Sequence, residues 1–168
     1  MIRIDWTTGV IGSEPSSVRT LDQMEGVFAA SVGNRNDVVY EIFGTAGEVN
    51  GPPKLLYATT VLHPGQVEGE YFMTRGHFHT NPERGELVFT LSGEGALILM
   101  DRNRNTWMEP MLEGGIHDID GAHAHRVANT GNVPLIFLVA WMSDCGHDYE
   151  SIKAKGFSLR LFSERGLV

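Results

Sequence analysis

Two histidines separated by one residue, His77 and His79, constrain this chain more than any other feature of its sequence. On a strand, alternate side chains point to the same face, so both imidazoles would face one side with Cα atoms roughly 6.5 Å apart. Two imidazoles at that separation can bind one ion at bond lengths of about 2.0–2.2 Å. Glu86 follows seven positions after His79 and opens the apolar run 87–91. This spacing favours a metal site beside a β-sheet.

A fourth ligand is expected from a distant strand that ends beside the first three. His125 is the best candidate, because it follows the glycine-containing turn 120–122 and precedes an apolar strand. His123 competes with it, since two-residue spacing puts both imidazoles on one face. Three imidazoles and one carboxylate suit iron, manganese, nickel or zinc better than calcium or magnesium, which prefer all-oxygen shells. We interpret His63 and His117 as structural or surface residues.

Short apolar runs separated by glycine-rich turns follow residue 37 and predict an all-β sandwich or barrel. The predicted strands are 38–43, 54–62, 86–91, 96–100, 106–109, 116–119, 126–129, 133–141 and 157–162. Gly93 and Gly95 between the third and fourth strands favour a hairpin, because glycine adopts positive φ readily. The long apolar run 133–141 is expected to be buried on both faces.

Two short helices are also predicted, one near each end of the chain. The first begins at Thr20 and ends at Gly26, and the second covers 148–155 with Asp148 as its cap. The chain has 168 residues and no linker, so we expect a single domain. Its parts are an N-terminal arm at 1–35, a β core at 36–145 and a C-terminal helix and strand at 146–168.

Charge and composition argue against several classes of partner. The formal net charge is −8 and no basic stripe is present, which argues against nucleic acid. No run approaches the roughly 20 apolar residues of a membrane span, and the N-terminus has no apolar signal core. Cys145 is the only cysteine, so no intramolecular disulfide can form, which fits a reducing cytosol. We therefore expect a cytoplasmic protein.

The spacing of these residues resembles the two sequence motifs of the cupins. The first motif reads His77, His79, Glu86 and Gly93, and the second reads Gly114, Gly121, His125 and Asn129. The long step from His79 to Glu86, with Ala-His-Arg at 124–126 and Gly-His-Asp-Tyr at 146–149, resembles the archaeal cupin-type glucose-6-phosphate isomerases. Further agreement at 19–24 and 154–157 extends the resemblance over roughly residues 19–162.

The resemblance implies a fold, an activity and a set of site residues. The implied fold is an all-β cupin jelly-roll β-barrel with one or two short helices, and the implied assembly is a homodimer. The implied activity interconverts glucose 6-phosphate and fructose 6-phosphate with one divalent transition metal per subunit. Iron is the first choice of metal, and manganese, nickel and zinc are the alternatives. The implied metal ligands are His77, His79, Glu86 and His125.

Aldose–ketose isomerisation needs an electrophile and, for proton transfer, a base. A bound metal can act as Lewis acid on the carbonyl or its neighbouring hydroxyl. Glu86 is then both a ligand and a candidate base, although metal binding lowers the basicity of a carboxylate. By the resemblance, His147 and Tyr149 lie in the substrate pocket, and either could move protons instead. A hydride shift between the two carbons would need no base.

The substrate phosphate needs an anchor that donates hydrogen bonds. By the resemblance, Thr60, Thr74 and Gly76 lie where the family holds the sugar phosphate. Two hydroxyls and one amide can donate to phosphate oxygens, and Arg75 can add a charge-assisted bond. Trp141 is interpreted as a core residue rather than a substrate wall.

Two alternatives use the same ligand set for another purpose. One is a metal-dependent oxygenase, which would require iron and would consume oxygen with a non-phosphorylated substrate. The other is a non-catalytic cupin that binds a sugar or a metal without turnover. The Gly-His-Asp-Tyr segment at 146–149 and the pair Thr60 and Thr74 favour the isomerase, because neither alternative needs them.

Overall fold

The computed structural model describes residues 1–32, 35–45 and 51–168, which form an all-β chain with two short helices, as predicted. The strands of these residues are β1 (Ser17–Thr20), β2 (Val38–Gly44), β3 (Leu55–Leu62), β4 (Gln66–Val67), β5 (Glu70–Tyr71), β6 (Glu86–Ser92), β7 (Glu94–Met100), β8 (Thr106–Leu112), β9 (Ile116–Ile119), β10 (Ala124–Asn129), β11 (Leu135–Met142), β12 (Leu161–Phe162) and β13 (Gly166–Leu167). The helices are a 3₁₀ turn at Asp22–Met24 and α1 at Glu150–Lys153.

The larger layer is a six-stranded antiparallel sheet with the strand order β1-β2-β3-β11-β6-β9. Its register places Arg19 opposite Tyr40, and Glu86 opposite both Trp141 and Ile119. Directly opposite residues share a face of the sheet. Residues 4–11 cover the other face, where they pack on an apolar cluster of β2, β3, β6 and β11.

The smaller layer is a three-stranded sheet with the order β10-β7-β8. The extended segment 73–79 joins this layer through isolated bridges, which pair Met73 with Ala128 and His77 with His125. The main apolar core contains Val88 of β6 and Leu97 of β7, together with residues of β10 and β11. The core therefore lies between the two layers.

A small sheet of the order β13-β12-β5-β4 fastens the C-terminus to the rest of the chain. Beside it, the fully buried carboxylate of Glu70 accepts hydrogen bonds from Arg160 at 2.9 Å and from the Ala29 amide at 2.7 Å. Arg160 also donates to the Val27 carbonyl at 2.9 Å. Removing one partner of a buried ion pair is strongly destabilising, so this contact holds the segment 27–29 against the C-terminal strands.

The predicted hairpin between the strands now labelled β6 and β7 is wrong. The two strands are consecutive along the chain but belong to different sheets. Gly93 between them has φ +83°, and a Cβ atom there would lie 2.6 Å from the Pro134 carbonyl oxygen. Gly93 therefore lies at a corner where the chain passes from one layer to the other. This corner packs tightly against the start of β11.

Other boundaries differ from the predictions in smaller ways. The helices are shorter than predicted, although Asp148 accepts a hydrogen bond from the Ser151 amide at 3.0 Å, as expected of a cap. Within β11 only Leu135, Ile136 and Phe137 are buried, and of the later residues Val139 and Trp141 line a cavity. The predicted strand 157–162 is reduced to β12. Among the described residues, no helix has the length and hydropathy to span a membrane.

Candidate active site

Four side chains from distant parts of the chain converge on one point. The ligand atoms of His77, His79, Glu86 and His125 all lie within 4.8 Å of one another. His79, Glu86 and His125 are buried, and His77 is half-buried. Glu86 belongs to the six-stranded layer, whereas His125 and the segment that carries His77 belong to the smaller one. The cluster therefore lies between the layers.

Backbone pairing sets the relative positions of the histidines. His77 donates its amide to the His125 carbonyl at 3.3 Å, and His125 donates to the His77 carbonyl at 3.1 Å. Phe78 points to the opposite face, where the Arg102 guanidinium lies 4.0 Å from its ring centroid. The alternation expected of an extended segment thus brings His77 and His79 to the same side. Their ring centroids are 5.5 Å apart.

The ring nitrogens of the three histidines are arranged as a metal would need. His79 Nδ1 donates to the Arg84 carbonyl at 2.5 Å, and His125 Nδ1 lies 3.4 Å from the His123 carbonyl. A neutral imidazole that donates through Nδ1 keeps a lone pair on Nε2. The Nε2 atoms of His77, His79 and His125 are buried and have no hydrogen-bond partner among the residues that the structure describes. Unpaired buried acceptors are costly, so the donor set fits a divalent ion.

The charges of the cluster also favour a cation. Burial, reinforced by His125 and His147, holds the pKa of His77 well below its ordinary value. Burial raises the pKa of Glu86, but the imidazoles of His125 and His79 outweigh it and leave the Glu86 pKa lowered. Burial lowers the pKa of His79, yet the nearby Glu86 carboxylate and the hydrogen bond to the Arg84 carbonyl raise the pKa overall. Glu86 is therefore an anion, with its two oxygens 3.6 Å from His79 and 3.4 Å from His125.

The other histidines of the sequence lie outside this cluster. His123 packs its ring against Trp107, with centroids 5.1 Å apart. His63 pairs with Glu41 at 3.1 Å, and His117 pairs with Glu109 at 2.8 Å. Of the two candidates for the fourth ligand, His125 lies within the cluster, because it belongs to β10 whereas His123 lies in the preceding turn.

A cavity of about 970 Å³ opens beside the cluster. Its lining includes every residue considered for substrate contact from the sequence, namely Thr60, Thr74, Arg75, Gly76, Glu86, His147 and Tyr149. The Thr74 hydroxyl accepts a hydrogen bond from the Val127 amide at 3.0 Å and keeps its own proton for a ligand. Gly76 has φ +78°, and a Cβ atom would lie 2.7 Å from Phe157, so only glycine fits there without strain.

His147 and Tyr149 stand next to the metal ligands. The ring of His147 lies 4.4 Å from that of His77, and the ring of Tyr149 lies 5.3 Å from it. Burial lowers the pKa of His147 and raises the pKa of Tyr149. At neutral pH the cavity therefore presents a neutral imidazole that can accept a proton and a phenol that can donate one.

The loop between His79 and Glu86 is bound to the segment that carries His147. Arg84 donates two hydrogen bonds from Nε and one from Nη2 to the Asp144 carboxylate, at 2.8–3.0 Å. The Asn81 amide donates to the Cys145 carbonyl at 2.8 Å. Because the Arg84 carbonyl also orients His79, this loop links a candidate metal ligand to the candidate proton-moving residue.

Some cavity residues were not identified from the sequence. Arg19 and Tyr40 line the cavity because β1 and β2 pair in a register that puts them on its face. Trp141 also lines the cavity, so its interpretation as a core residue is wrong. Alternation along β11 would have suggested this position for Trp141, which shares a face with Phe137 and Val139.

Comparison with known sequences points to one family. A family model described as glucose-6-phosphate isomerase (GPI) matches residues 16–168. The chain is 39% identical over 170 residues to the glucose-6-phosphate isomerase of Thermococcus kodakarensis, covering 98% of this chain and 89% of that protein. It is 38% identical over 173 residues to that of Thermococcus litoralis, covering 99% and 90%. A putative glucose-6-phosphate isomerase 2 of Rhizobium meliloti is 28% identical over 174 residues, covering 99% and 86%.

Comparison with solved structures identifies the fold. A structure of oxalate decarboxylase, solved to examine its substrate binding mode and reaction specificity, has a TM-score of 0.51 and 16% identity, and covers 77% of this chain and 27% of that one. The Lactobacillus farciminis oxalate decarboxylase formate complex has a TM-score of 0.50 and 16% identity, covering 66% and 30%. These likenesses concern the fold alone, which is an all-β cupin, as the motifs predicted.

Proposed function

The chain belongs to the glucose-6-phosphate isomerase family, and from that premise we propose that it interconverts glucose 6-phosphate and fructose 6-phosphate at a divalent metal centre. We propose His77, His79, Glu86 and His125 as the metal ligands. The observation that carries the proposal is the convergence of their ligand atoms within 4.8 Å at the wall of a large cavity. Oxalate decarboxylase resembles this chain only in fold, so it gives no support to an oxygenase.

The metal and the protein have separate tasks in this proposal. A divalent ion, when bound, supplies a Lewis acid that polarises the substrate carbonyl. We propose one ion per subunit, with iron first and manganese, nickel or zinc as alternatives, because imidazole suits these metals. The chain itself excludes water, orients the sugar and moves the proton.

His147 is the residue we propose to move the proton between the two carbons. Both oxygens of Glu86 face ligand imidazoles, which supports a role as ligand rather than as base. Burial lowers the pKa of His147, so this imidazole is neutral and can accept a proton. Tyr149 has a raised pKa and keeps its phenolic proton, which it can donate to a sugar oxygen during ring opening. Base catalysis by Glu86 and a hydride shift remain the competing routes.

For the phosphate, we propose an anchor made of Thr60, Thr74, Arg75 and Gly76. All four line the same cavity as His147 and Tyr149. The two hydroxyls and the Gly76 amide can donate neutral hydrogen bonds, and Arg75 can donate a charge-assisted one. Arg75 has no carboxylate partner within ion-pair distance among the described residues, which leaves its charge for a ligand.

We further propose a single cupin domain over 1–168 that acts in the cytoplasm as a homodimer. Its parts are the N-terminal arm at 1–35, the jelly-roll core at 36–145 and the C-terminal helix and strand at 146–168. Exposed apolar side chains on the edge strands β8 and β9 support dimerisation, since uncovered sheet edges promote association. The net charge of −8 gives no support to a nucleic-acid partner.

A coupled assay with fructose 6-phosphate tests the function. The protein is stripped with a chelator, reloaded with single metals and compared with the His125→Ala and His123→Ala variants. We expect activity to disappear on stripping and to return on reloading. His125→Ala should lower kcat/KM more than about 100-fold. Substituting a residue that only hydrogen-bonds to a metal ligand already lowers metal affinity or activity about 10–100-fold, and removing the ligand itself should have a larger effect. His123→Ala is the matched control and should change kcat/KM little.

Each other outcome has a definite meaning. Full activity after stripping would contradict the metal centre, and equal losses in both histidine variants would contradict the ligand assignment. Oxygen consumption with a non-phosphorylated substrate would favour the oxygenase. Tight sugar-phosphate binding without turnover would favour the non-catalytic cupin.

A further inference from the structure

The arginines that line the main cavity have no carboxylate partner. They are Arg19, Arg75 and Arg126, and none of them takes part in an ion pair among the described residues. Arginines elsewhere in the fold do, as Arg84 does with Asp144 at 2.8 Å. The two carboxylates of the cavity lining are already engaged, Glu86 by imidazoles and Asp144 by Arg84. A negatively charged ligand would therefore complement this part of the cavity.

Arg19 reaches the cavity through the pairing of β1 with β2. It lies directly opposite Tyr40, so the two side chains share the face that lines the cavity. Arg19 donates Nη1 to the Val18 carbonyl at 3.0 Å, which leaves most of its five donors available. Burial raises the pKa of Tyr40, and the positive charges of Arg19 and Arg75 act against this rise.

Arg75 is connected to the candidate metal centre through the ring of Tyr149. Tyr149 bridges the two ends of the site, with its ring centroid 5.3 Å from that of His77 and 6.0 Å from the guanidinium carbon of Arg75. Arg75 is held in place by a 2.6 Å hydrogen bond to the Gln23 carbonyl. An open-chain hexose 6-phosphate can span this gap, with its carbonyl end at the metal ligands and its phosphate at the arginines.

We propose that Arg19 is a substrate-binding residue, which forms with Arg75 a guanidinium pair for the phosphate dianion. The inference rests on the proposed function and adds to it the residue that separates phosphorylated from free sugars. Guanidinium binds phosphate through charge-assisted, often bidentate hydrogen bonds, which are stronger than those of hydroxyls. β1 thereby forms part of the substrate site as well as the edge of the sheet.

The test compares Arg19→Gln and Arg19→Lys with Arg35→Gln in the metal-loaded enzyme. Arg35 is a matched control, because it is an exposed arginine paired with Asp37. For Arg19→Gln we expect KM for fructose 6-phosphate to rise about 10- to 100-fold, as the loss of hydrogen bonds to a charged group predicts. kcat should change less than about threefold, since the interaction is present in ground and transition state alike. Arg19→Lys should show a smaller rise.

A second readout uses inorganic phosphate alone. We expect calorimetry to show phosphate binding to the metal-loaded wild type and to Arg35→Gln, and weaker binding to Arg19→Gln by the same factor as its rise in KM. An unchanged KM and an unchanged phosphate affinity in Arg19→Gln would overturn the proposal. If that variant does not fold, the same two measurements on Arg19→Lys decide the question. A wild type that binds phosphate through Arg19 without isomerising fructose 6-phosphate would overturn the proposed function and leave this inference standing.

Discussion

The three candidate ligand histidines each have a buried Nε2 atom that is unpaired within the described part of the chain, and local contacts hold their positions. In His79 and His125, Nδ1 faces a backbone carbonyl, so the lone pair stays on Nε2. His77 is aligned by its backbone pairing with His125. The carbonyl that orients His79 belongs to Arg84, whose side chain is bound by Asp144. The affinity of the site for a metal should therefore depend on Asp144, although the carboxylate of Asp144 hydrogen-bonds to Arg84 and not to a candidate ligand.

Asp144→Asn is expected to weaken metal binding about tenfold, at the low end of the effect of substituting partners of metal ligands. The amide cannot hold the Arg84 guanidinium by a charge-assisted bidentate contact, so the Arg84 carbonyl becomes less well positioned for His79. Competition with a chelator measures the affinity. Asp37→Asn is the matched control, because it weakens a surface ion pair of the same kind.

Two results separate positioning from general stability. We expect the thermal unfolding of the metal-free protein to change equally little in both aspartate variants, because exposed ion pairs contribute about 0–1 kcal/mol. Equal metal affinities in Asp144→Asn and Asp37→Asn would show that the loop holds His79 without this ion pair.

The four residues of the ligand cluster could be predicted from the sequence, but some of the residues that line the cavity could not. His77, His79 and Glu86 follow from local spacing, and His125 follows from its turn and strand. The role of Arg19 depends on the register in which β1 pairs with β2, which local periodicity does not specify. Trp141, by contrast, could have been assigned to the cavity face from the alternation along β11.

Among the elements, the corner between β6 and β7 decides the topology. Glycines between two apolar strands predict a hairpin, and here the chain instead passes from one layer to the other. Local residue preferences are the same in both cases, because each needs positive φ. What differs is the packing of Gly93 against Pro134 and Leu135, which lie more than forty residues later in the chain. The opposite case is the polar turn 101–105, which closes a true hairpin between β7 and β8.

Gly93→Ala should destabilise the protein more than Gly114→Ala. Both glycines have nearly the same backbone conformation, φ +83° and +81°, so both variants incur a left-handed strain of about 1–3 kcal/mol. Only at Gly93 would the new Cβ also meet backbone, 2.6 Å from the Pro134 oxygen, which adds about 1–3 kcal/mol of overpacking. Denaturant unfolding measures both, and equal free energies would contradict the tight corner.

The β7–β8 turn should contribute an acid-sensitive part of the stability. Asp101 accepts hydrogen bonds from the amide and the side chain of Asn105, at 2.8 and 2.7 Å, and these bonds lower its pKa below the ordinary 3.8. A lowered pKa in the folded state means that the contribution is complete above pH 3.8 and is lost as the pH falls through the folded value. We expect Asp101→Asn to melt below the wild type at pH 7. The gap in melting temperature should shrink as the pH falls below 3.8, and a constant gap would refute the assignment.

For the whole molecule, the two layers end in edges that carry exposed apolar side chains. β8 is an edge of the smaller sheet and β9 is an edge of the larger one. Leu112 is 57% exposed and Ile116 is 67% exposed. Apolar edges of this kind support association with a second copy.

The double variant Leu112→Glu/Ile116→Glu is therefore expected to be monomeric, whereas the wild type should sediment as a dimer. The two new carboxylates, one on β8 and one on β9, would lose their hydration in the interface, which would disfavour the dimer. Leu55→Glu is the control, because Leu55 is 65% exposed on β3, away from this edge. A dimer that survives the double substitution would place the interface elsewhere.

At this scale the sequence predicted the class of fold but not its layering. Period-two patterns and turn residues indicate strands, and the motif spacing identifies the cupin fold. The allocation of β6 and β7 to different sheets, and the coverage of the larger sheet by residues 4–11, arise from contacts between distant parts of the chain. Contacts between distant segments produce no periodic pattern of residues that could be recognised in a single sequence.

Because Glu86 comes from one sheet and the three histidines from the other, a bound ion would act as a cross-link between the halves of the sandwich. Its binding free energy would then add to the resistance of the folded chain to heat, by about 1.4 kcal/mol for each tenfold excess of free metal over the dissociation constant. Chelation would release that cross-link, and backbone amides along β6 and β10 would be the first of the core to exchange their hydrogens with deuterated solvent.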